Sequence, residues 1–259
     1  MFQELLSLPV VASEHGEQVD KFIIYIHWLM AALFIGWTAY YLYVLYRFRA
    51  SKNKKADYVG SRSHATSYIE LAVAGVEAVL LVGFAIPLWA KVVDTMPSAT
   101  DENPPTEIRV MAQQFGWNFM HPGVDSVFGK QQFELVSEEN KFGRDLEDEF
   151  GKDDIFTLND IHIPIDKPVI FHISSMDVIH SFKVIALRVC QDAIPGMSIP
   201  TWCTPTKEGR YQINCAQLCG NGHSAMTLGF LTIDSRDDYD SWLVQNTPAD
   251  GESGGMSFE

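Results

Sequence analysis

Two thiols, an imidazole and a thioether fall within the segment Cys215-Ala-Gln217-Leu-Cys219-Gly-Asn-Gly-His223-Ser-Ala-Met226. Soft sulfur donors beside imidazole favour copper or zinc over hard cations. Gly220 and Gly222 suit a tight loop that folds the donors toward one centre. A Cys215–Cys219 disulfide is the simplest competitor, but a short offset in a strand-to-loop segment does not guarantee bridging geometry. Zinc is usually held by Cys-x-x-Cys pairs, and methionine is a poor zinc ligand. A mononuclear blue-copper site takes one Cys, two His and a weak Met, which leaves the second thiol unused. Two thiolates bridging two coppers use both.

Such a centre needs a second imidazole. Of the eight histidines, His15, His27 and His64 lie in or before the apolar N-terminal part. Besides His223 this leaves His121, His162, His172 and His180. His180, in Met176-Asp-Val-Ile-His180-Ser-Phe, ends an apolar strand beside a turn signal. Residue types alone favour His180 and keep the other three as rivals.

The elements that must position these donors begin at Glu107. Short alternating apolar runs broken by turn residues read as strands over Ile108–Gln114, Ile155–Leu158, Val169–Ser174, Ser181–Ala186, Arg210–Ile213 and Leu228–Ile233. That pattern predicts an all-β sandwich or barrel. Ser235-Arg-Asp-Asp is a helix start with acids in the first turn, predicting a short helix to about Val244. Val136–Asp154 is densely acidic and reads as a solvated excursion, with a docking surface as the sharper alternative. The Gly/Ser-rich tail after Thr247 reads as loose.

Ahead of the β part, Phe22–Tyr46 contains no charged residue and Leu71–Ala90 only Glu77. Each run is long enough to cross a bilayer core of roughly 30 Å as a helix. They predict a two-helix transmembrane hairpin, with spans at about 22–46 and 68–93; buried core helices are the alternative. Arg47, Arg49, Lys52, Lys54, Lys55 and Arg62, against Asp57, mark the connection as cytoplasmic. Residues 1–95 are then a short external lead plus the hairpin. Pro97, Pro104 and Pro105 mark a linker, and 96–259 is an external domain. The start has no basic segment and is not a signal peptide, which leaves open an already removed precursor segment.

The formal net charge of −14 falls entirely on 96–259. It excludes nucleic acid as a partner and attracts cationic ones, although solubility alone is a sufficient reason for an acidic domain. Cys190 and Cys203 lie outside the motif and could pair as a disulfide on an oxidising face. No Cys-x-x-Cys-His occurs, so no covalent haem c of the usual kind is expected.

Three blocks in order, Asp177-Val-Ile-His180-Ser-Phe, Gln191-Asp192-Ala-Ile-Pro-Gly196 and Cys-x-x-x-Cys-x-x-x-His-x-x-Met, resemble subunit 2 of the haem-copper cytochrome c oxidases. The likeness extends over nearly the whole chain. It implies a dinuclear Cu-A centre in a cupredoxin-like domain. Cys215 and Cys219 would bridge both coppers. His180 and Met226 would complete one copper, and His223 with the carbonyl of Gln217 the other. It further implies a cytochrome c or other cationic donor, a catalytic haem-copper subunit 1 with further oxidase subunits, and proton pumping in that assembly. The cytoplasmic connection places both termini on the outer side; the lack of a targeting signal and the family's distribution point to a bacterial inner membrane, where that side is periplasmic. A nitric oxide reductase carrying the same centre and a copper-binding assembly protein are the alternatives. A quinol oxidase subunit would lack the ligands.

The chain departs from the family pattern at several positions. Gln217 stands where the family usually has a Glu whose side chain binds Mg²⁺. The carbonyl role survives, while a neutral amide is a weaker Mg²⁺ ligand, so no Mg²⁺ is expected through Gln217. In Gln114-Phe115-Gly116-Trp117-Asn118-Phe119, Phe115 replaces the Trp at which the electron is thought to enter, and Trp117 matches the second family Trp. Either could serve electron transfer or simply pack the barrel. Glu70 aligns with a family Glu at the mouth of a proton-uptake channel, with snorkelling to the interface as its plain reading. Glu77, deeper in the span, is expected to face the catalytic subunit.

Overall fold

A computed structural model describes residues 6–55, 58–60 and 62–248. The tail from residue 249 on lies outside the described residues, as does Asp57 in the basic connection. The chain forms two compact units, one helical over 18–95 and one built from Pro9–Glu17 and the residues from Met96 on.

The helical unit holds α1, Gly16–Arg47, and α2, Ala65–Asp94. Glu17 in the first turn and Arg47 in the last complement the dipole of α1, which therefore begins before its uncharged stretch. Within α2, Leu81–Ala85 form a π turn between two α-helical segments. Pro87 follows it, and a proline ring cannot sit against the carbonyl four residues earlier, so a wider turn relieves the ladder. Both helices are long and apolar enough to cross a membrane. Their large apolar side chains, among them Phe34, Ile35, Leu71 and Trp89, are exposed, which excludes the buried core-helix alternative. Glu70 and Glu77 are exposed along α2.

The β unit is a sandwich of two five-stranded sheets. Its strands are β1 Thr106–Gln113, β2 Gly116–His121, β3 Ile155–Leu158, β4 Asp160–Pro164, β5 Val169–Ser175, β6 His180–Val184, β7 Val189–Ala193, β8 Ile199–Cys203, β9 Gly209–Cys215 and β10 Phe230–Asp234. One sheet runs β3-β2-β1-β5-β8 and the other β4-β10-β9-β6-β7. α3, Arg236–Asn246, follows β10, with the Ser235 hydroxyl accepting from the Asp238 N–H as its N-cap.

Alternation with period two puts Ile108, Val110 and Ala112 of β1 inward, against Phe182, Val184, Ile213, Leu231 and Ile233 of the opposite sheet. Phe182 lies at the centre, with Trp117 at 5.4 Å, Phe171 at 5.6 Å and Phe119 at 6.4 Å between ring centroids. Its truncation to Ala removes roughly 3–5 kcal/mol.

The structure differs from the sequence expectation at several places. β2, β4, β7 and β8 are strands where none was expected. Ser181–Ala186 ends as a strand at Val184, because Ile185–Leu187 turn as a 3-10 segment into left-handed Arg188. The acidic excursion is not wholly solvated, since Phe142 and Asp154 are buried within it. Asp154 accepts from the Gly129 N–H at 3.2 Å, and burial pushes its carboxyl up to about 7.

The short lead before α1 packs into the β unit, which the sequence did not indicate. Ala12 is fully buried, its N–H donating to the Ala186 carbonyl and its carbonyl accepting from Thr206. Ser13 bridges Pro205, and its hydroxyl donates to the Leu187 carbonyl at 2.6 Å. Residues 9–17 thus belong to the β unit although the two apolar helices separate them from it in sequence.

Candidate metal centre

The gap in sequence between His180 and the cysteines closes through strand pairing. β6 and β9 are antiparallel neighbours with Phe182 opposite Cys215. His180 opens β6 and Cys215 ends β9, so both sit at the same edge of the sandwich. The Ala216 N–H donating to the Ser181 carbonyl extends that ladder by one rung. Cys219 lies in the following loop, and His223–Leu228 form a 3-10 turn carrying His223 and Met226.

The donors converge. Cys215 and Cys219 sulfurs are 3.9 Å apart. His180 Nδ1 is 3.1 Å from Met226 Sδ and 3.9 Å from Cys215 Sγ. His223 Nδ1 is 3.3 Å from Cys219 Sγ, which also lies 3.4 Å from Met226 Sδ. The Gln217 carbonyl oxygen is 3.0 Å from Cys215 Sγ. Two sulfurs bound about 2.3 Å from one metal at a tetrahedral angle lie roughly 3.8 Å apart, so the thiol spacing suits a shared metal. His180, Cys215, Cys219 and Met226 are buried. Among the described residues, His180, Cys215 and Cys219 are the one group of His, Cys and acidic side chains close enough to hold an ion together.

The surroundings fix the donors. His180 Nε2 is 3.0 Å from Asp177 Oδ1, which commits that nitrogen and turns Nδ1 toward the sulfurs. Burial works against ionising Asp177, yet the His180 ring and the Gln114 and Val178 N–H groups hold its carboxyl below the usual range. Burial, and the neighbouring Cys215 sulfur, push the Cys219 thiol up to about 11. A bound cation reverses that preference and keeps the thiolates ionised. Trp117 Nε1 donates to the Met226 carbonyl at 3.0 Å, and its ring meets His180 edge-on at 6.2 Å. Phe115 packs its ring on Gly220 and Gly222, where any side chain on the loop would collide with it.

The rival histidines are engaged elsewhere. His162 pairs with Asp234 and Asp160, His172 with Glu107, and His121 lies under Trp242 of α3. Of the aromatic pair, Phe115 reaches the surface and Trp117 is fully buried. Cys190, exposed on β7, and Cys203, buried on β8, are both free thiols. Sequence reasoning missed Asp177 and Gln114 as supports. The signal available was their place beside recognisable donors, three residues before His180 and next to the aromatic run.

The family profile described as "Cytochrome C oxidase subunit II, periplasmic domain" matches residues 107–233. "Alternative cytochrome c oxidase subunit 2" of Bradyrhizobium diazoefficiens is 31% identical over 91% of this chain and 83% of its own length. "Cytochrome c oxidase subunit 2" of Synechocystis is 30% identical over 97% of this chain and 79% of its own. This chain belongs to the cytochrome c oxidase subunit 2 family. Among solved structures, the periplasmic domain of subunit II of cytochrome oxidase of Bradyrhizobium japonicum is similar at 23% identity, covering 59% of this chain and 96% of that one, with a TM-score of 0.42. Subunit 2 of the family is part of a respiratory oxidoreductase complex. The two apolar helices and the periplasmic-domain match fit a membrane-anchored subunit. The His, Cys and Cys group in a cupredoxin-like domain fits copper.

Proposed function

We propose that this subunit receives single electrons at a dinuclear Cu-A centre and passes them to haem in the catalytic subunit of a cytochrome c oxidase, which reduces oxygen and pumps protons. The observation that carries the reading is the clustering of four further donors around two thiols, with Met226 beside His180, His223 beside Cys219 and the Gln217 carbonyl beside Cys215. Cys215 and Cys219 would bridge; His180 with Met226, and His223 with the Gln217 carbonyl, would complete the two metal positions. Bound there, the copper pair supplies a one-electron carrier shared between two metals.

The chain's own residues provide the rest. Burial of His180, Cys215, Cys219 and Met226 keeps water from that part of the site, and the Asp177 bond to His180 limits ring movement between redox states. Gln217 contributes its carbonyl only, with no Mg²⁺ through its neutral side chain. Leu218 and Ile179, each next in sequence to a donor, and Leu228, two residues after Met226, are exposed apolar side chains suited to protein contact. The acidic outer surface draws a cationic donor such as cytochrome c. Phe115 is the aromatic that such a donor can touch, and Trp117 is an interior link to Met226. Glu70 would serve proton uptake and Glu77 would face the catalytic subunit, with 96–259 and both termini on the periplasmic side of a bacterial inner membrane.

Copper reconstitution of the full chain in detergent tests this reading. The full chain is required because residues 9–17 pack into the β unit. Two coppers per chain, with an electron spin resonance spectrum of one electron shared between them, are expected. A single copper with a mononuclear spectrum would falsify it.

A further inference from the structure

Three hydrogen bonds run in series around the outside of the donor cluster. His180 Nε2 meets Asp177 Oδ1 at 3.0 Å. The backbone N–H of Gln114 donates to Asp177 Oδ2 at 2.7 Å. The side-chain amide of Gln114 donates to the Cys219 carbonyl at 2.6 Å. One residue in the β1–β2 turn therefore grips both segments that must meet, the β5–β6 loop that leads through Asp177 into His180 and the β9–β10 loop that carries Cys219. His180 and Cys215 stand on neighbouring strands of one sheet, whereas Gln114 lies in a turn of the other, so the strap crosses between the sheets. The β6–β9 ladder ends at Ala216, and the strand ladders alone do not hold the loop beyond it. Gly220, at φ +136, lets the loop lie against the Gln114 amide, because a side chain there would meet Nε2 at 2.8 Å.

Resting on the copper reading above, we infer that Gln114 is a positioning residue for the centre. It acts as a strap that, through Asp177 and the Cys219 carbonyl, sets the spacing of His180 from the cysteines before metal arrives. Asp177 fixes the His180 tautomer, and Gln114 fixes Asp177 relative to the loop. Supports of this kind typically change metal affinity 10–100-fold when removed. The side chain of Gln114 touches neither metal position, so its loss loosens the site without removing a donor.

The test uses the full chain and two variants, Gln114→Leu and Asp177→Asn, with their double. Copper(II) titration should show affinity reduced about 10–100-fold in each single variant. The double should be little worse than the weaker single, as expected when both act through one chain of bonds. A readout free of copper accompanies it: alkylation of the copper-free protein by iodoacetamide, followed by mass spectrometry. Exposed Cys190 serves as the internal reference. Cys219, 5% exposed, should alkylate several-fold faster relative to Cys190 in Gln114→Leu, with thermal unfolding unchanged. Unchanged alkylation and affinity in Gln114→Leu, or fully additive losses in the double, would overturn the strap. Failure of the unsubstituted chain to bind copper would instead sink the copper reading, and the alkylation rates would still decide the strap. A Gln114→Leu chain that unfolds early would assign Gln114 to general stability and also overturn it.

Discussion

His180 and His121 are both fully buried in the β unit, and the two have opposite chemistry. His180 has one nitrogen on Asp177 and the other facing Met226 and Cys215. Neither His121 nitrogen has a hydrogen-bond partner among the described residues. Its ring lies 4.9 Å from that of Trp242, and His162, stacked on the same indole at 4.6 Å, is held by Asp234 and Asp160. Burial therefore does not make a histidine a ligand. A ligand needs a second group that fixes one nitrogen and leaves the other aimed at soft donors; His121 has neither.

The largest expected effect is at the copper end. His180→Asn should abolish the two-copper stoichiometry, whereas His121→Asn and His172→Asn should keep it. Copper-to-protein ratios of the three purified full-length variants decide the matter. Loss of the centre in His172→Asn but not in His180→Asn would reverse the assignment.

Next in size is a pH effect confined to the His121 end. Burial, reinforced by neighbouring His162, pushes His121 down to about 3 from an ordinary 6.5. The unfolded chain takes up a proton below about 6.5 that the folded chain refuses. Stability is therefore intact above that pH and falls, by roughly 1.4 kcal/mol per pH unit, as pH drops toward 3. His162, Asp160, Asp234 and Tyr239 face the same pocket, so the test is a difference between chains. Denaturant unfolding at pH 7, 6 and 5 should show a shallower decline in His121→Phe than in the unsubstituted chain. At pH 7 that variant should be about 1 kcal/mol more stable, since two unpaired polar atoms are gone. Parallel pH curves would show that His121 titrates normally.

The two ends also differed in how far the sequence revealed them. Cys215, Cys219, His223 and Met226 are legible because they lie within one short stretch of sequence and their residue types are chemically restrictive. His180 needed the family resemblance, since its approach to Cys215 depends on a β6–β9 register that no local pattern states. The His121 pocket was not legible at all. It forms where β2, β4 and α3 meet, and β2 and β4 were both missed. β2 is buried on both faces, so it lacks alternation. β4, β7 and β8 are edge strands, paired on one side only, and carry residues such as Asp160, Gln191 and Pro200 that weaken a strand signal. Residues 9–17 were missed because their partners, Ala186, Thr204 and Thr206, lie far along the chain.

Trp242→Ala sharpens the comparison at a smaller cost. Trp242 is half-buried, and losing its contacts with both histidines should remove about 2 kcal/mol. It should also admit water to His121 and flatten the pH dependence, because desolvation is the main cause of the shift. Copper stoichiometry should not change. A steep pH curve surviving in Trp242→Ala would move the cause from the indole to the strands beneath.

The smallest effect expected is at the start of the helix that carries Trp242. Ser235 Oγ accepts from the Asp238 N–H at 3.1 Å, so Ser235→Ala leaves that donor without its cap and should cost about 1 kcal/mol. Because Trp242 stays in place, the decline in stability between pH 7 and pH 5 should keep its slope while the whole curve shifts down. That pattern separates docking of the helix from the burial of His121, two things that Trp242→Ala alters together. If Ser235→Ala flattened the slope as well, His121 would owe its depressed proton affinity to the whole helix rather than to one ring, and its contrast with His180 would be one of packing order rather than of hydrogen-bond partners.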